Sequence, residues 1–239
     1  MIIDATDMDY MVLNRKIRDC NENVEIKNCL GQRFIATGME SKKIYINGIS
    51  GNALGAYLNG AVIVTDDNAQ DAVGDTMNDG EIIVHGNVGD AVGYAMRGGK
   101  ILIKGNAGYR AGIHMKEYEQ KIPLMIIGGK AGSFLGEYQA GGIIAVLGLT
   151  DNDKRIVGNF PCTGMHGGKV FLRGEHSSDI FPENVCVKSA DDSDLNIIRD
   201  DISKFCRLFG YDENEILGCP FTVITPNNEN PFKQLYVAN

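Results

Sequence analysis

The sequence predicts an all-β chain, folded as a right-handed, single-stranded parallel β-helix of about seven turns with a C-terminal helix packed on it. Three observations carry that prediction. Apolar triplets recur at a step of 19 residues, glycines recur at matching corners between them, and one stretch near the C-terminus has helical periodicity.

The triplets Ile44-Tyr45-Ile46, Ile63-Val64-Thr65, Ile82-Ile83-Val84 and Ile101-Leu102-Ile103 begin 19 residues apart. The register resumes at Met125-Ile126-Ile127, Ile144-Ala145-Val146 and Val170-Phe171-Leu172, after steps of 24, 19 and 26. These are seven rungs, and a weaker one, Val24-Glu25-Ile26, is expected to cap them. A second ladder keeps step: Ala53-Leu54-Gly55, Ala72-Val73-Gly74, Ala91-Val92-Gly93, Arg110-Ala111-Gly112, Phe134-Leu135-Gly136 and Ile156-Val157-Gly158. A third corner carries Gly60, Gly80, Gly98-Gly99, Gly141-Gly142 and Gly167-Gly168. A period of this kind marks a solenoid. Three-residue strands rich in β-branched residues are unstable alone. Stacked at about 4.8 Å, equivalent strands pair their backbones and build a continuous core, and right-handedness is the rule for parallel crossovers.

The pleat places the first and third members of each triplet inside. The middle members, Tyr45, Val64, Ile83, Leu102, Ile126, Ala145 and Phe171, then point outward. A continuous apolar stripe is unusual on a free surface, so something must cover it. The predicted cover is the stretch after Asp191, Asp192, Ser193 and Asp194, which suit a helix N-terminus. Leu195, Ile198, Ile202, Phe205 and Leu208 follow at helical spacing, and Gly210 supplies the stop.

One domain spanning 1–239 is expected, with a lead-in over 1–23, the β-helix over 24–190, and the helix and an extended tail over 191–239. The lead-in suggests a short helix, Asp7–Arg18, built on Met8, Met11, Val12 and Ile17. The tail carries Pro220, Pro226 and Pro231. Two turns hold extra residues, His114–Pro123 and Leu149–Arg155, and such insertions map to loops on one face.

Bulk properties narrow the function. The 239 residues carry a formal net charge of −8, which argues against a phosphate-backbone ligand. Six cysteines lack CxxC spacing and no signal peptide precedes them, which points to reduced thiols in a cytoplasmic protein. No apolar run approaches the roughly 18 residues of a membrane span. The absence of Trp and of grouped carboxylates disfavours a carbohydrate-cleaving β-helix. His85, His114, His166 and His176 show no metal-ligand spacing, and His85 aligns with Lys104 and Asn47 as a surface residue.

No catalytic, cofactor-binding or metal-binding residue is assigned. The candidates for contact with a partner or ligand are Arg110, His114 and Lys116 in GYRAGIHMK, the pair Glu137-Tyr138, and Met165-His166 in TGMHGG. A solvated mixed-charge loop accounts for the first group, and a corner carboxylate beside a packing ring for the second. A glycine string can bind an anion through its N–H groups, yet glycine corners produce such strings in any β-helix.

The corners GDAVGYAMRGG, GYRAGIHMK, GEYQAGG and TGMHGG resemble the C-terminal GXGXG domain of the glutamate synthase large subunit, above all its stand-alone version. The resemblance covers about residues 24–175. It implies a right-handed β-helix with a structural role, holding a glutaminase (amidotransferase) subunit and an FMN/iron–sulfur synthase subunit for glutamate biosynthesis. No cofactor is expected on this chain and no nucleic acid or membrane as its partner, with homo-oligomerisation left open. Ile2 follows Met1, which excludes a processed N-terminal cysteine nucleophile. Two alternatives stay open. One is a scaffold similar to the formylmethanofuran dehydrogenase subunit that shares this repeat. The other is a small-molecule-binding enzyme using the 108–116, 137–138 and 163–168 loops.

Overall fold

A computed structural model describes residues 1–150 and 155–227. One sheet of eleven strands runs through them in the order β1-β2-β3-β4-β5-β6-β7-β8-β9-β11-β10. The strands are β1 (Ile2–Asp4), β2 (Val24–Leu30), β3 (Lys43–Ile49), β4 (Asn59–Thr65), β5 (Asp79–Val84), β6 (Lys100–Ile103), β7 (Leu124–Ile127), β8 (Ala140–Val146), β9 (Gly167–Arg173), β10 (Val185–Ser189) and β11 (Phe221–Pro226). From β1 to β9 every pairing is parallel, and Ile44, Ile63, Ile82, Ile101, Met125, Ile144 and Val170 stand in one register. The fold is therefore the parallel β-helix that the 19-residue period predicts. It has eight rungs in β2–β9, because Val24 pairs with Ile44 and Ile26 with Ile46. The outward Glu25 is what makes this rung the weaker one in the sequence.

The inside–outside assignment holds. The first and third triplet members are all buried, with Ile44, Ile63, Ile82, Ile101, Ile144 and Val170 wholly so. Ile83, Leu102, Ile126, Ala145 and Phe171 fall in a second cluster on the outer side of the same strands. Helix α2 (Asp192–Phe209) covers them with Ile198, Ile202, Phe205 and Phe209. Asp191 and Asp194 form a capping box at its start, and left-handed Gly210 ends it. Ion pairs fix the docking: Lys100 with Asp201, Lys204 with Glu81 at 2.5 Å, and Lys188 with Asp194 at 2.7 Å. The apolar row is centred differently from the expected one, since Leu195 and Leu208 are only partly buried and Phe209 joins it. Tyr45 stays exposed beyond the end of the helix. His85 is not simply a surface residue: its ring lies 5.0 Å from that of Phe209, edge to face, and burial is the main cause lowering its pKa.

Both ends of the stack are closed. At the start, β1 adds a parallel strand and α1 (Tyr10–Asp19) buries Leu13 and Ile17. Met11 and Val12, expected on its apolar face, are exposed, because the buried face is the one that Leu13 and Ile17 share, four residues apart. At the far end the chain leaves α2 through α3 (Glu213–Leu217) and returns as β11, antiparallel to β9 and β10. The extended tail is thus partly a sheet strand. Pro231 and the 151–154 part of the second insertion lie outside the described residues. The first insertion closes on itself through Tyr118 and Lys121, whose ammonium reaches Asp79 at 2.8 Å.

A polar corner holds successive coils together. Asn68 Oδ1 accepts from the N–H of Asn87, Asn87 Oδ1 from Asn106, and Asn106 Oδ1 from Lys130. Beside this ladder, Asn52 accepts from Asp71, Asp71 from Asp90, and Asp90 from Tyr109. The final glycine of each G-N-x-G run is dictated here, since a Cβ on Gly89 would stand 2.1 Å from Asp71 Oδ1 and one on Gly108 2.2 Å from Asp90 Oδ1. Asn87→Ala removes one such acceptor and should cost about 1 kcal/mol, read as a lower midpoint in a urea melt with an unchanged slope.

Candidate functional site

The remaining corner carries the candidate residues, and its backbone is unusual. In each coil every second residue is left-handed: Arg110, Gly112 and His114 have φ of 58°, 71° and 55°. The next two coils repeat this at Phe134, Gly136 and Tyr138, then at Phe160, Cys162 and Gly164. The N–H groups therefore point alternately to the coils above and below. Arg110 donates to Ser133 O at 2.9 Å, Gly112 to Val92 O at 2.8 Å, and His114 to Glu137 O at 2.9 Å. The central residue faces the core, where a Cβ on Gly112 would meet Ile144 Cδ1 at 2.3 Å. The left-handed residues two positions before and after it, Arg110 and His114, are turned outward.

The structure brings Arg110, His114, Glu137 and Tyr138 together on this face. Arg110 Nε donates to Glu137 Oε2 at 3.1 Å, and Glu137 is buried beneath it. The guanidinium also lies 5.5 Å from the centre of the Phe134 ring, which stacks on Phe160 at 5.4 Å. His114 is held between Tyr94, edge-on at 5.9 Å, and Tyr138, parallel at 5.3 Å. His166 sits one coil on, with Nδ1 3.1 Å from Gly164 O. Lys116 is exposed at the border of the face, its N–H bonded to Met96 O. Met165 does not belong to the surface: it is 1% exposed and packs in the core, so the pleat turns it away from any partner.

Sequence reasoning passed over Tyr94, Phe134 and Phe160. Their signal was an aromatic residue recurring at corner positions of several coils, as at Tyr57, Tyr94, Tyr109, Phe134, Tyr138 and Phe160. A cleft of about 330 Å³ continues the face past the last coil, between Asn159, Phe160 and Thr163 and the segment Asp179–Pro182. Arg110, His114 and Glu137 do not line it.

Chemically the face is suited to contact. The one candidate carboxylate, Glu137, is already neutralised by Arg110. The thiol nearest to it in the corner, Cys162, is wholly buried, and burial pushes its pKa up to about 12, which keeps it from acting as a nucleophile. Among the described residues, no three His, Cys, Asp or Glu converge as a metal site. No helix there is long and apolar enough to cross a membrane.

Comparison with known proteins agrees with this architecture. Over its full length the chain is 46% identical to protein MJ1350 of Methanocaldococcus jannaschii, an uncharacterised protein of which it covers 97%. Its fold is similar to a chain of the formyltransferase/hydrolase complex of Methylorubrum extorquens, solved with methylofuran. That likeness has a TM-score of 0.63 at 16% identity and covers 90% of this chain and 87% of the other. The model of the GXGXG motif family matches residues 5–225. The repeated glycine corners, their left-handed backbone and the match across nearly the whole chain make one conclusion: this protein belongs to the GXGXG motif family.

Proposed function

We propose that the chain is a non-catalytic assembly subunit of a glutamate-synthase-like oxidoreductase. In this reading it holds a glutaminase subunit and an FMN/iron–sulfur synthase subunit in place for glutamate biosynthesis in the cytoplasm. The observation that carries it is the corner of Tyr94, Arg110, His114, Phe134, Tyr138 and Phe160. These side chains are outward, stacked and mutually paired, which suits contact with another protein surface. The flavin and clusters would belong to the synthase subunit, and the nucleophile to the glutaminase.

A second reading has its own support. The likeness in fold to a chain of a formyltransferase/hydrolase complex favours a scaffold similar to the repeat-bearing subunit of formylmethanofuran dehydrogenase. Copurification separates the two. The tagged full-length chain, isolated from its native host and analysed by mass spectrometry, should bring down an amidotransferase and a flavin- and cluster-bearing synthase. Recovery of formyl-transferring subunits instead would decide for the second reading. The purified chain alone should release no ammonia from glutamine, and measurable turnover would falsify the scaffold role.

A further inference from the structure

We propose that the cleft beside Phe160 is the seat of this chain's own C-terminal tail, with the Phe232 ring lodged against Phe160 and Ile180. The tail then closes the last coil of the solenoid from outside. The inference stands apart from the assembly reading, and neither rests on the other.

The walls of the cleft come from two places in the sequence. Phe160 and Thr163 belong to the last coil, and Asp179, Ile180, Phe181 and Pro182 to the segment between β9 and β10. Between them lies about 330 Å³. Phe160 is 63% and Ile180 37% exposed, so apolar side chains of both walls are left to water. A single exposed apolar residue is ordinary, but two that line one concave opening call for an apolar occupant. The cation in the lining, Arg155, is engaged by Val157 O and Asn159 Oδ1, so the cleft does not lack an anion.

The course of the chain after β11 selects the occupant. The Asn227 N–H donates to Asn184 O at 3.0 Å, and its side-chain amide donates to Glu183 O at 3.0 Å. Glu183 directly follows Pro182 of the cleft wall. Asn184 is tied in turn to the last coil, its Nδ2 donating to Met165 O at 2.8 Å. The chain is thus held beside the cleft with twelve residues still to run. Phe232 stands five residues on, a reach of at most roughly 17 Å. A ring tethered so closely is present at an effective concentration of the order of millimolar, which a separate partner or a second copy rarely matches. Lys233, the next residue, has a counter-charge in Asp179, a wall residue without an ion pair among the described residues.

The chain has no Trp, so Phe232→Trp in the full-length protein gives a single reporter. Its emission should be blue-shifted from that of a free peptide of residues 228–239 carrying the same exchange, with severalfold weaker quenching by acrylamide. Ile180→Asp, a change at an exposed position, should return both readings to the peptide's values and leave the far-UV circular dichroism unchanged. The shielding should survive dilution, because the contact lies within one chain. In a protein that keeps Phe232, a photo-crosslinking phenylalanine at Ile180 should join residues 228–239 of the same chain when isotope-labelled and unlabelled copies are mixed. Peptide-like emission, or shielding that Ile180→Asp leaves in place, would overturn the proposal. So would shielding lost on dilution, crosslinks to a second copy, or the absence of a crosslink to the tail.

Discussion

Ile82→Asp should lower stability by more than about 4 kcal/mol, leaving little folded protein at physiological temperature. Ile82 is wholly buried, in register with Ile63 below and Ile101 above. Its Cδ1 lies against Gly55 of the facing corner, where even an added Cβ would stand 2.6 Å away. A carboxylate at that place meets side chains that offer no hydrogen bond. Desolvating an unpaired charge is among the costliest changes a core can suffer. Lys104→Ala, at the solvent end of the neighbouring rung, should shift stability by less than about 0.5 kcal/mol. Thermal melts of the two variants check the contrast, and equal midpoints would mean that the rungs face the other way.

Truncation before Asp191 should be nearly as severe. It removes α2, which buries Ile83, Leu102, Ile126 and Phe171, and also β11, whose Val223 pairs with Phe171 and whose Ile224 pairs with Val170. Each Leu- or Phe-sized side chain returned to water costs roughly 1.5–3 kcal/mol. The truncated chain should therefore bind a hydrophobic dye strongly and melt well below the parent. Phe205→Ala in the intact chain isolates the helix from the strand, and should cost about 3–5 kcal/mol. An unchanged dye signal and melting point in the truncated chain would show that the stripe is covered from elsewhere.

The rungs were legible because a β-helix writes its period directly into the chain. Ile63, Ile82 and Ile101 sit 19 residues apart because each completes one circuit. The cover of the outer stripe was legible too, since two unsatisfied apolar rows in one sequence call for each other. What escaped was geometry without a hydrophobic signature. Asn68, Asn87 and Asn106 stand 19 residues apart, but only the folded chain shows each amide oxygen accepting the N–H one coil on. β1 and β10 stand outside the 19-residue period, so nothing marks them off from a lead-in and a loop. Among the candidate residues, Arg110, His114, Glu137 and Tyr138 were found because charge and rings are conspicuous. Met165 was misplaced because the pleat of a corner cannot be counted as that of a strand can, and Phe160 was overlooked for the same reason.

The register of the parallel rungs has a kinetic consequence. Most contacts outside the caps join residues one circuit apart, less than a tenth of the chain length in the regular coils. For a sheet protein this is a low contact order, and low contact order favours fast folding. With each coil touching only its neighbours, the molecule behaves as a one-dimensional chain of coupled units in which a nucleus formed anywhere can spread both ways. Amide exchange should then be slowest in β5–β7 and quicken towards both ends, like a zipper opening from its tips.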